Sequence, residues 1–424
     1  MTFFSARFAI TSAGFLTVAQ ARLALANRDL ARQSGGAFAL RWNDIGHPDP
    51  DACERIRQDL RWLGIAWDAE FHQSERAPLY AAAIAGLQAA NRLYPCFEND
   101  DELRFKRERR ARAGKPVVYD RAMLKLTPAQ RAAAEANGKR PYWRFLLSDT
   151  EITWKDSYHG RQQVKLPGLS DPVLVSADGA VQPTLAGAID DIDLGIGLLA
   201  RGADEVANSA IQYDIRAALG TNPGRIALAH LPPLIDADKG KRARALEKLT
   251  IRQLQHDGIE AAALAAYLTE LSAPTNTAPR FDSTLLLALN RQTLADIPFV
   301  DIAPRLPAGA TEAFWNAIRG YIDLSPEARV WWAVTQGEIV APILENAMDF
   351  LSIAHDRMLP APWNTTTWPA WLAALEIDAA HPNARLLYLA LTGEEQGPPM
   401  ATLLPLIARP RVERRLQALS QNAE

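Results

Sequence analysis

Cysteine is almost missing from this chain of 424 residues: Cys53 and Cys96 are the two present. That excludes a disulfide framework and a cysteine-rich zinc site, and it fits a reducing cytoplasm. The seven histidines are scattered, and none stands in a ligand-spaced pair of the HxxxH kind, so neither zinc nor another structural metal is expected. An excess of charge of one sign is lacking too. Lysine and arginine number 46 against 49 acids, a net charge of -3, so contact with nucleic acid has to come from a local patch rather than the field of the whole molecule. No apolar run approaches the roughly 20 residues that span a bilayer, and no membrane partner is expected. Arg7 followed by the weakly apolar Phe8 to Ala19, with Ala19-Gln20-Ala21 behind it, imitates a leader and its cleavage site. Thr11, Ser12 and Thr17 interrupt the run, and it passes unbroken into a helical pattern, so the targeting reading is set aside.

What is present suffices for several cores: 48% hydrophobic and 22% charged residues at this length point to two or three domains. Phe8 to Ile10 read as a buried strand, Thr11 to Gly14 as a turn, Val18 to Gln33 as a helix, and Phe38 to Trp42 as a second strand after Gly35-Gly36. Strand, helix, strand opens a parallel α/β sheet whose ligand crevice lies at the carboxyl ends of the strands, near Thr11 to Thr17 and Asn43-Asp44. Helices are expected at Asp51 to Leu63, Tyr80 to Asn91 and, strongly charged, Glu102 to Arg112. Short strands at Tyr142 to Leu147 and Glu151 to Trp154 suggest an inserted subdomain, and apolar strands at Pro172 to Val175 and Ile226 to Leu228 suggest that the first sheet then resumes. From Leu246 onward the pattern is helical and punctuated by proline.

Several stretches together resemble glutamyl-tRNA synthetases. RFAITSAGFLTVAQAR, Arg7 to Arg22, is similar in order and spacing to that family's RFAPSPTGxLHxGGAR, and GGAFALRWND, Gly35 to Asp44, to its GGxFxLRxED. LRWLGIAWD, RLYPCFE, YDR, YWRF, LSDPVL, DDIDLGI and RGADEVANSAIQ match further stretches, and HLPPLIDADKGKRARA stands where the family has HLPLL followed by GKKLSKR. The resemblance implies a class I Rossmann-like α/β fold with an inserted α/β subdomain and a C-terminal all-helical domain. Its expected parts are a catalytic first half at 1–97, an acceptor-stem-binding insertion at 98–186, a catalytic second half at 187–245, a stem-contact region at 246–310 and an anticodon-binding-like domain at 311–424. It also implies ATP with magnesium, glutamate and tRNA as ligands, and a monomer is expected.

Amino-acid activation needs cationic or hydrogen-bonding groups on the phosphates as pyrophosphate leaves. The family's histidine and glycine at the first strand-to-helix turn are Thr17 and Ala19 here, with Gly14 retained; threonine carries no charge, and Ala19 adds a Cβ where glycine lets the nucleotide approach. In the second signature Lys241 and Arg244 supply cations, Arg244 at the position of the main lysine. The spacing of the two signatures places Thr17 and Arg244 across one cleft with Gly14 at its floor. For glutamate, Arg7 and Arg201 retain the cations and Thr11 replaces a serine, while Asn43 stands in place of the acid that meets the ammonium group. Pro183 replaces a substrate-facing tyrosine, and Ala203 and Glu205 flank Asp204 in place of Glu and His.

Bland readings stand beside these. Arg7 and Arg41 suit buried ion pairs with a carboxylate such as Asp44, Arg104 to Arg112 a solvated face, and the tryptophans at 331, 332, 363, 368 and 371 a helical core rather than stacking on anticodon bases. The resemblance thus implies a glutamate–tRNA ligase with weakened chemistry; the alternative is an impaired paralogue that binds tRNA or a protein and regulates.

Overall fold

A computed structural model of the chain describes residues 4–46, 49–237, 246, 248–274, 278–344 and 347–421. They form two compact units, residues 1–252 with 265–282, and residues 253–264 with 283–424.

The first unit opens with β1 (Phe4–Thr11), α1 (Val18–Gln33), β2 (Ala37–Asn43), α2 (Pro50–Trp62), β3 (Ala69–His72) and α3 (Ala77–Ala89). Thr17 caps α1 and Asp49 caps α2, each accepting from a backbone N–H of the first turn. There follow β4 (Leu93–Cys96), α4 (Asp100–Arg112), α5 (Pro128–Ala136), β5 (Tyr142–Phe145), β6 (Glu151–Asp156), β7 (Gly160–Lys165) and β8 (Val173–Val175). The unit continues with α6 (Pro183–Asp193), β9 (Leu198–Gly202), α7 (Val206–Ala218), β10 (Ala227–Leu231), β11 (Ile235–Asp236) and β12 (Arg280–Phe281).

Seven strands make one sheet in the order β3-β2-β1-β9-β10-β6-β7, parallel but for the β6–β7 hairpin. From β1 the chain builds outward through β2 and β3, then returns to β1's other side as β9. That reversal is the switch point at which open parallel sheets hold ligands. Two features open the sheet there. The β1–β9 register consists of Ala6 with Leu198, and beyond it the N–H and C=O of Ala200 are met by the Asn27 side chain of α1, both at 2.9 Å. A buried amide thus satisfies backbone groups that a ladder would otherwise take.

The expected resumption of the first sheet is corrected in two places. Val173–Val175 pairs antiparallel with β5 in a separate three-stranded sheet, β4-β5-β8. Glu151–Asp156, expected within the insertion, joins the main sheet instead, Asp156 registering with Leu228. The strand that does return to β1 is β9, a stretch whose Arg and flanking glycines hide it from a hydrophobic pattern. No residue of α4 is buried, so its charged run is a solvated surface.

The second unit is helical. Its core gathers Phe314, Trp315, Trp331, Trp368 and Trp371, with Trp332 and Trp363 packed against it. Trp371 donates its indole N–H to the Ala354 carbonyl at 3.1 Å, and Trp315 to that of Ile297 at 2.8 Å. The tryptophans serve the core reading. Among the described residues no helix is long and apolar enough to cross a membrane.

Candidate active site

Two cavities meet at the switch point. The larger, about 420 Å³, is lined by Arg7 of β1, Arg41 and Asn43 of β2, Arg201 of β9, and Pro183 and Glu205. Register explains the convergence. Arg7 lies opposite Ala39 and Ala9 opposite Arg41, so the period of two sends both guanidiniums to the same face of neighbouring strands.

That face is covered by α6, whose Asp191 answers them. Arg7 donates Nε and Nη2 to the two Asp191 oxygens at 2.7 and 3.0 Å, and Arg41 donates Nη1 to the first oxygen at 3.3 Å. Asp190 lies 3.4 Å from Arg41 and accepts from Gln73, Arg76 and Tyr80. Burial pushes the Asp191 carboxyl up, but Arg7 and Arg41 outweigh it and hold it below the usual range. Burial lowers Arg41 to about 10, with Arg7 adding to the push and Asp191 and Asp190 opposing it, so Arg41 stays charged at neutral pH. The expectation that Asp44 would pair with these arginines is corrected. Asp44 follows β2 one residue after Asn43, on the alternate side, and its carboxylate accepts from the Ser74 N–H and O–H and meets His72 at 2.8 Å.

Arg201 is held from behind. Its Nη1 donates to Ser209 Oγ and Gln212 Oε1, both at 2.9 Å. Ser209 Oγ is 2.8 Å from His230 Nε2, and His230 Nδ1 is 2.5 Å from Asp156. A carboxylate accepts, so Nδ1 donates to it; with one proton on the ring, Nε2 accepts from the Ser209 hydroxyl, whose oxygen accepts from Arg201. Burial pushes the Asp156 carboxyl up, but the His230 ring and the N–H groups of Tyr158, His159 and His230 outweigh it and hold it well below the carboxylate range. The chain of four residues has the order of a nucleophilic triad, yet Ser209 is buried and accepts from a guanidinium. Its evident work is to fix Arg201.

The smaller cavity, about 150 Å³, is mostly apolar, lined by Ala19 and Leu23 of α1, Gly202 and Ala203, Leu234 and Leu246 among others. Leu23 and Gly202 line both cavities, which makes them two parts of one cleft. Beside it, the start of α1 is pinned: Val18 N–H donates to the Leu249 carbonyl and Ile251 N–H to that of Leu16, both at 2.9 Å.

Of the residues singled out from sequence, Arg7, Asn43 and Arg201 share the cationic part and Ala19 lines the apolar part. Thr11 ends β1, registered opposite Asn43, and is exposed. Gly14 turns the chain at φ 72°, a conformation suited to glycine. Thr17 is the N-cap of α1 in a capping box: its Oγ1 accepts from the Gln20 N–H at 3.3 Å and donates to Gln20 Oε1 at 3.1 Å. Lys241 and Arg244 lie outside the described residues, and with them the expected placement of Thr17 and Arg244 across a cleft.

Residues 4–282 match the family model described as tRNA synthetases class I (E and Q), catalytic domain. The protein named glutamate–tRNA ligase 2 of Granulibacter bethesdensis is 46% identical, with 98% of each chain covered. That of Gluconacetobacter diazotrophicus is 45% identical over 97% of this chain and 98% of its own. The chain belongs to the class I glutamate and glutamine tRNA synthetases. The solved glutamate-tRNA synthetase of Elizabethkingia anophelis has the same fold, with a TM-score of 0.83 over 99% of this chain and 100% of its own at 17% identity.

In this synthetase the residues that sequence reasoning missed are those holding the arginines: Asp191, Ser209, His230, Asp156 and Asn27. A signal existed for the first. An Asp-Asp pair, Asp190-Asp191, follows the apolar stretch of α6 near its C-terminal end, and a buried acid calls for a buried base. No comparable signal marks Asn27 or Asp156.

Proposed function

We propose that this synthetase activates glutamate with ATP and passes it to tRNA, at a rate lowered by Thr17, Ala19 and Asn43. One observation carries the reading: a cavity walled by three arginines opens into an apolar one beside the N-terminus of α1. A carboxylate ligand and a nucleoside would lie side by side there, with phosphates near the polarised first turn of a helix. Arg7 and Arg41, which share Asp191, would face the side-chain carboxylate. Thr11 and Asn43 would edge its mouth, and Gly14, Thr17 and Ala19 would form the turn beneath ATP.

In the reaction a glutamate α-carboxylate oxygen attacks the α-phosphorus of ATP, the bond to pyrophosphate breaks, and glutamyl-adenylate forms. A ribose hydroxyl at the tRNA 3′ end then attacks the carbonyl carbon, loses its proton, and AMP leaves. Lys241 and Arg244 are the cations this reading assigns to the departing pyrophosphate. Magnesium would be carried on the phosphates. Among the described residues no three or more His, Cys, Asp or Glu side chains are grouped to hold a metal. Residues 98–186 are assigned to the acceptor stem, 246–310 to stem contact and 311–424 to the anticodon side.

The lowering has two local causes. The Thr17 hydroxyl is consumed by the cap and bears no charge, and Asn43 Oδ1 accepts from Arg41 Nε at 3.2 Å instead of presenting an anion. The same engagement of Thr17 favours a second reading, a paralogue that binds tRNA without forming adenylate. Incubating the purified chain with ATP, magnesium, total tRNA and labelled amino acids separates them. Slow charging with glutamate is expected; charging with another amino acid contradicts the proposal, and tRNA binding without any charging establishes the second reading.

A further inference from the structure

The buried charges around the cationic cavity pair off, with one exception. Arg7 and Arg41 meet Asp191, Arg41 and Arg76 meet Asp190, and Arg76 meets Asp193, so three cations face three acids in one connected array. Arg201 and Glu205, 3.6 Å apart, add one of each sign. Arg216 of α7 is left over. It is 6% exposed, its Nε has no hydrogen-bond partner, and the side chain forms no ion pair among the described residues. The other acids of the neighbouring elements are engaged elsewhere or exposed. Asp214 pairs with Arg92, Asp156 accepts from the His230 ring and from the N–H groups of Tyr158 and His159, and Asp204 is exposed.

The place of this odd charge is informative. Arg216 lines a small cavity of about 10 Å³ with Asp191, Ser209 and Tyr213, and Arg201 and Gln212 line both that cavity and the cationic one. Arg216 itself does not line the cationic cavity, so it stands one layer behind its wall. Burial lowers its pKa, opposed by Asp191 and Tyr213, yet an arginine stays charged at neutral pH. A buried charge without a counter-ion destabilises a fold, and an apolar side chain of similar length would relieve that cost.

We infer that Arg216 is a specificity-determining residue: its unbalanced charge, set behind Arg201 and Gln212, biases the cavity toward an amino acid that is a net anion and against the neutral amide of the same shape. The inference rests on the reading that the cavity takes an acidic amino acid. Arg216 acts on the ligand's net charge through its field rather than by contact, and such a field is weakly screened between buried groups. At neutral pH glutamate is a net anion and glutamine is neutral overall, while the two side chains have nearly the same size. A purely structural arginine predicts the opposite pattern: stability falls when its charge is removed, and ligand choice does not change.

Calorimetric titration of the full chain with L-glutamate and with L-glutamine, beside urea unfolding, separates the two. The unmodified chain is expected to prefer glutamate. In Arg216→Met that preference falls by about tenfold, and the unfolding midpoint stays the same or rises. Arg216→Gln, a second neutral variant, is expected to show the same fall in preference, and Arg216→Lys, which keeps the charge, to retain the preference. An unchanged preference in the neutral variants, or an equal loss in Arg216→Lys, overturns the inference. Failure of both neutral variants to fold overturns it as well, since the guanidinium would then be a structural necessity. If the unmodified chain binds the two amino acids alike, this inference fails while the amino-acid site stands; if it binds neither, the acidic amino-acid reading itself fails.

Discussion

Asp191 holds Arg7 by both of its oxygens, and the oxygen bonded to Arg7 Nε at 2.7 Å also takes Arg41 at 3.3 Å. One buried carboxylate is therefore shared by two buried guanidiniums, with Asp190 a second acid 3.4 Å from Arg41. Asp191→Asn keeps the shape and removes the charge, leaving both arginines undercompensated. A stability loss of about 3–5 kcal/mol is expected, the cost of breaking a buried ion pair on one side. Urea unfolding measures it, and a loss under about 1 kcal/mol would show that water or another acid compensates them.

Asn27 tests the opening of the sheet. Asn27→Leu fills the same volume but leaves the N–H and C=O of Ala200 buried without partners, at about 1–3 kcal/mol for each. The expected result is a lower unfolding midpoint together with weaker glutamate binding, since Asn27 and Ala200 both line the cationic cavity. An unchanged midpoint would mean that β1 and β9 close over the gap.

Much of this was readable in advance, and for physical reasons. The β1–α1–β2 start follows from a period of two, a period of 3.6 and two glycines, and the helix Val18–Gln33 matches its expected bounds. Arg7, Asn43 and Arg201, named from the family resemblance, come together in one cavity because β1, β2 and β9 are neighbours in the sheet. What pairs with them was hidden: Arg7 and Asp191 are 184 residues apart, and no local pattern says which acid reaches which base. Asp44, the nearest acid in sequence, was the wrong partner because neighbouring residues leave a strand on opposite sides. The insertion's strands were misplaced for the same reason, since Val173–Val175 and Glu151–Asp156 have hydrophobic patterns that do not name their sheets.

The Asp156 carboxylate makes acid stability informative. Its native value is depressed, so the folded state holds fewer protons than the unfolded one at mildly acid pH. The stabilisation is complete above the ordinary aspartate value of about 3.9 and is lost as pH falls below it toward the depressed one. Asp156→Asn is expected to be less stable at pH 7 and to lose less further stability between about pH 5 and pH 2 than the unmodified chain. Parallel curves for the two proteins would show that Asp156 is not ionised in the fold.

On the proposed reading, Thr17 and Asn43 are losses that substitution reverses. Thr17→His combined with Asn43→Glu restores a transition-state cation and an ammonium partner. Glutamate-dependent turnover is expected to rise by about a hundredfold or more, the range associated with one restored donor. Thr17→His also removes the α1 cap, at about 1 kcal/mol, so thermal unfolding should record a small loss alongside the gain. No gain in rate would place the defect elsewhere in the cleft.

The central claim is that a synthetase cleft is preserved while its chemistry is weakened, and ATP–pyrophosphate exchange tests it most directly. Purified protein is assayed with glutamate, magnesium and total tRNA beside a family member that carries the histidine and the acid at the positions of Thr17 and Asn43. The account predicts glutamate-dependent exchange at least about a hundredfold below that relative, in line with the loss of one transition-state donor. Exchange at the relative's rate would contradict it and make Thr17, Ala19 and Asn43 a fully working form of the site.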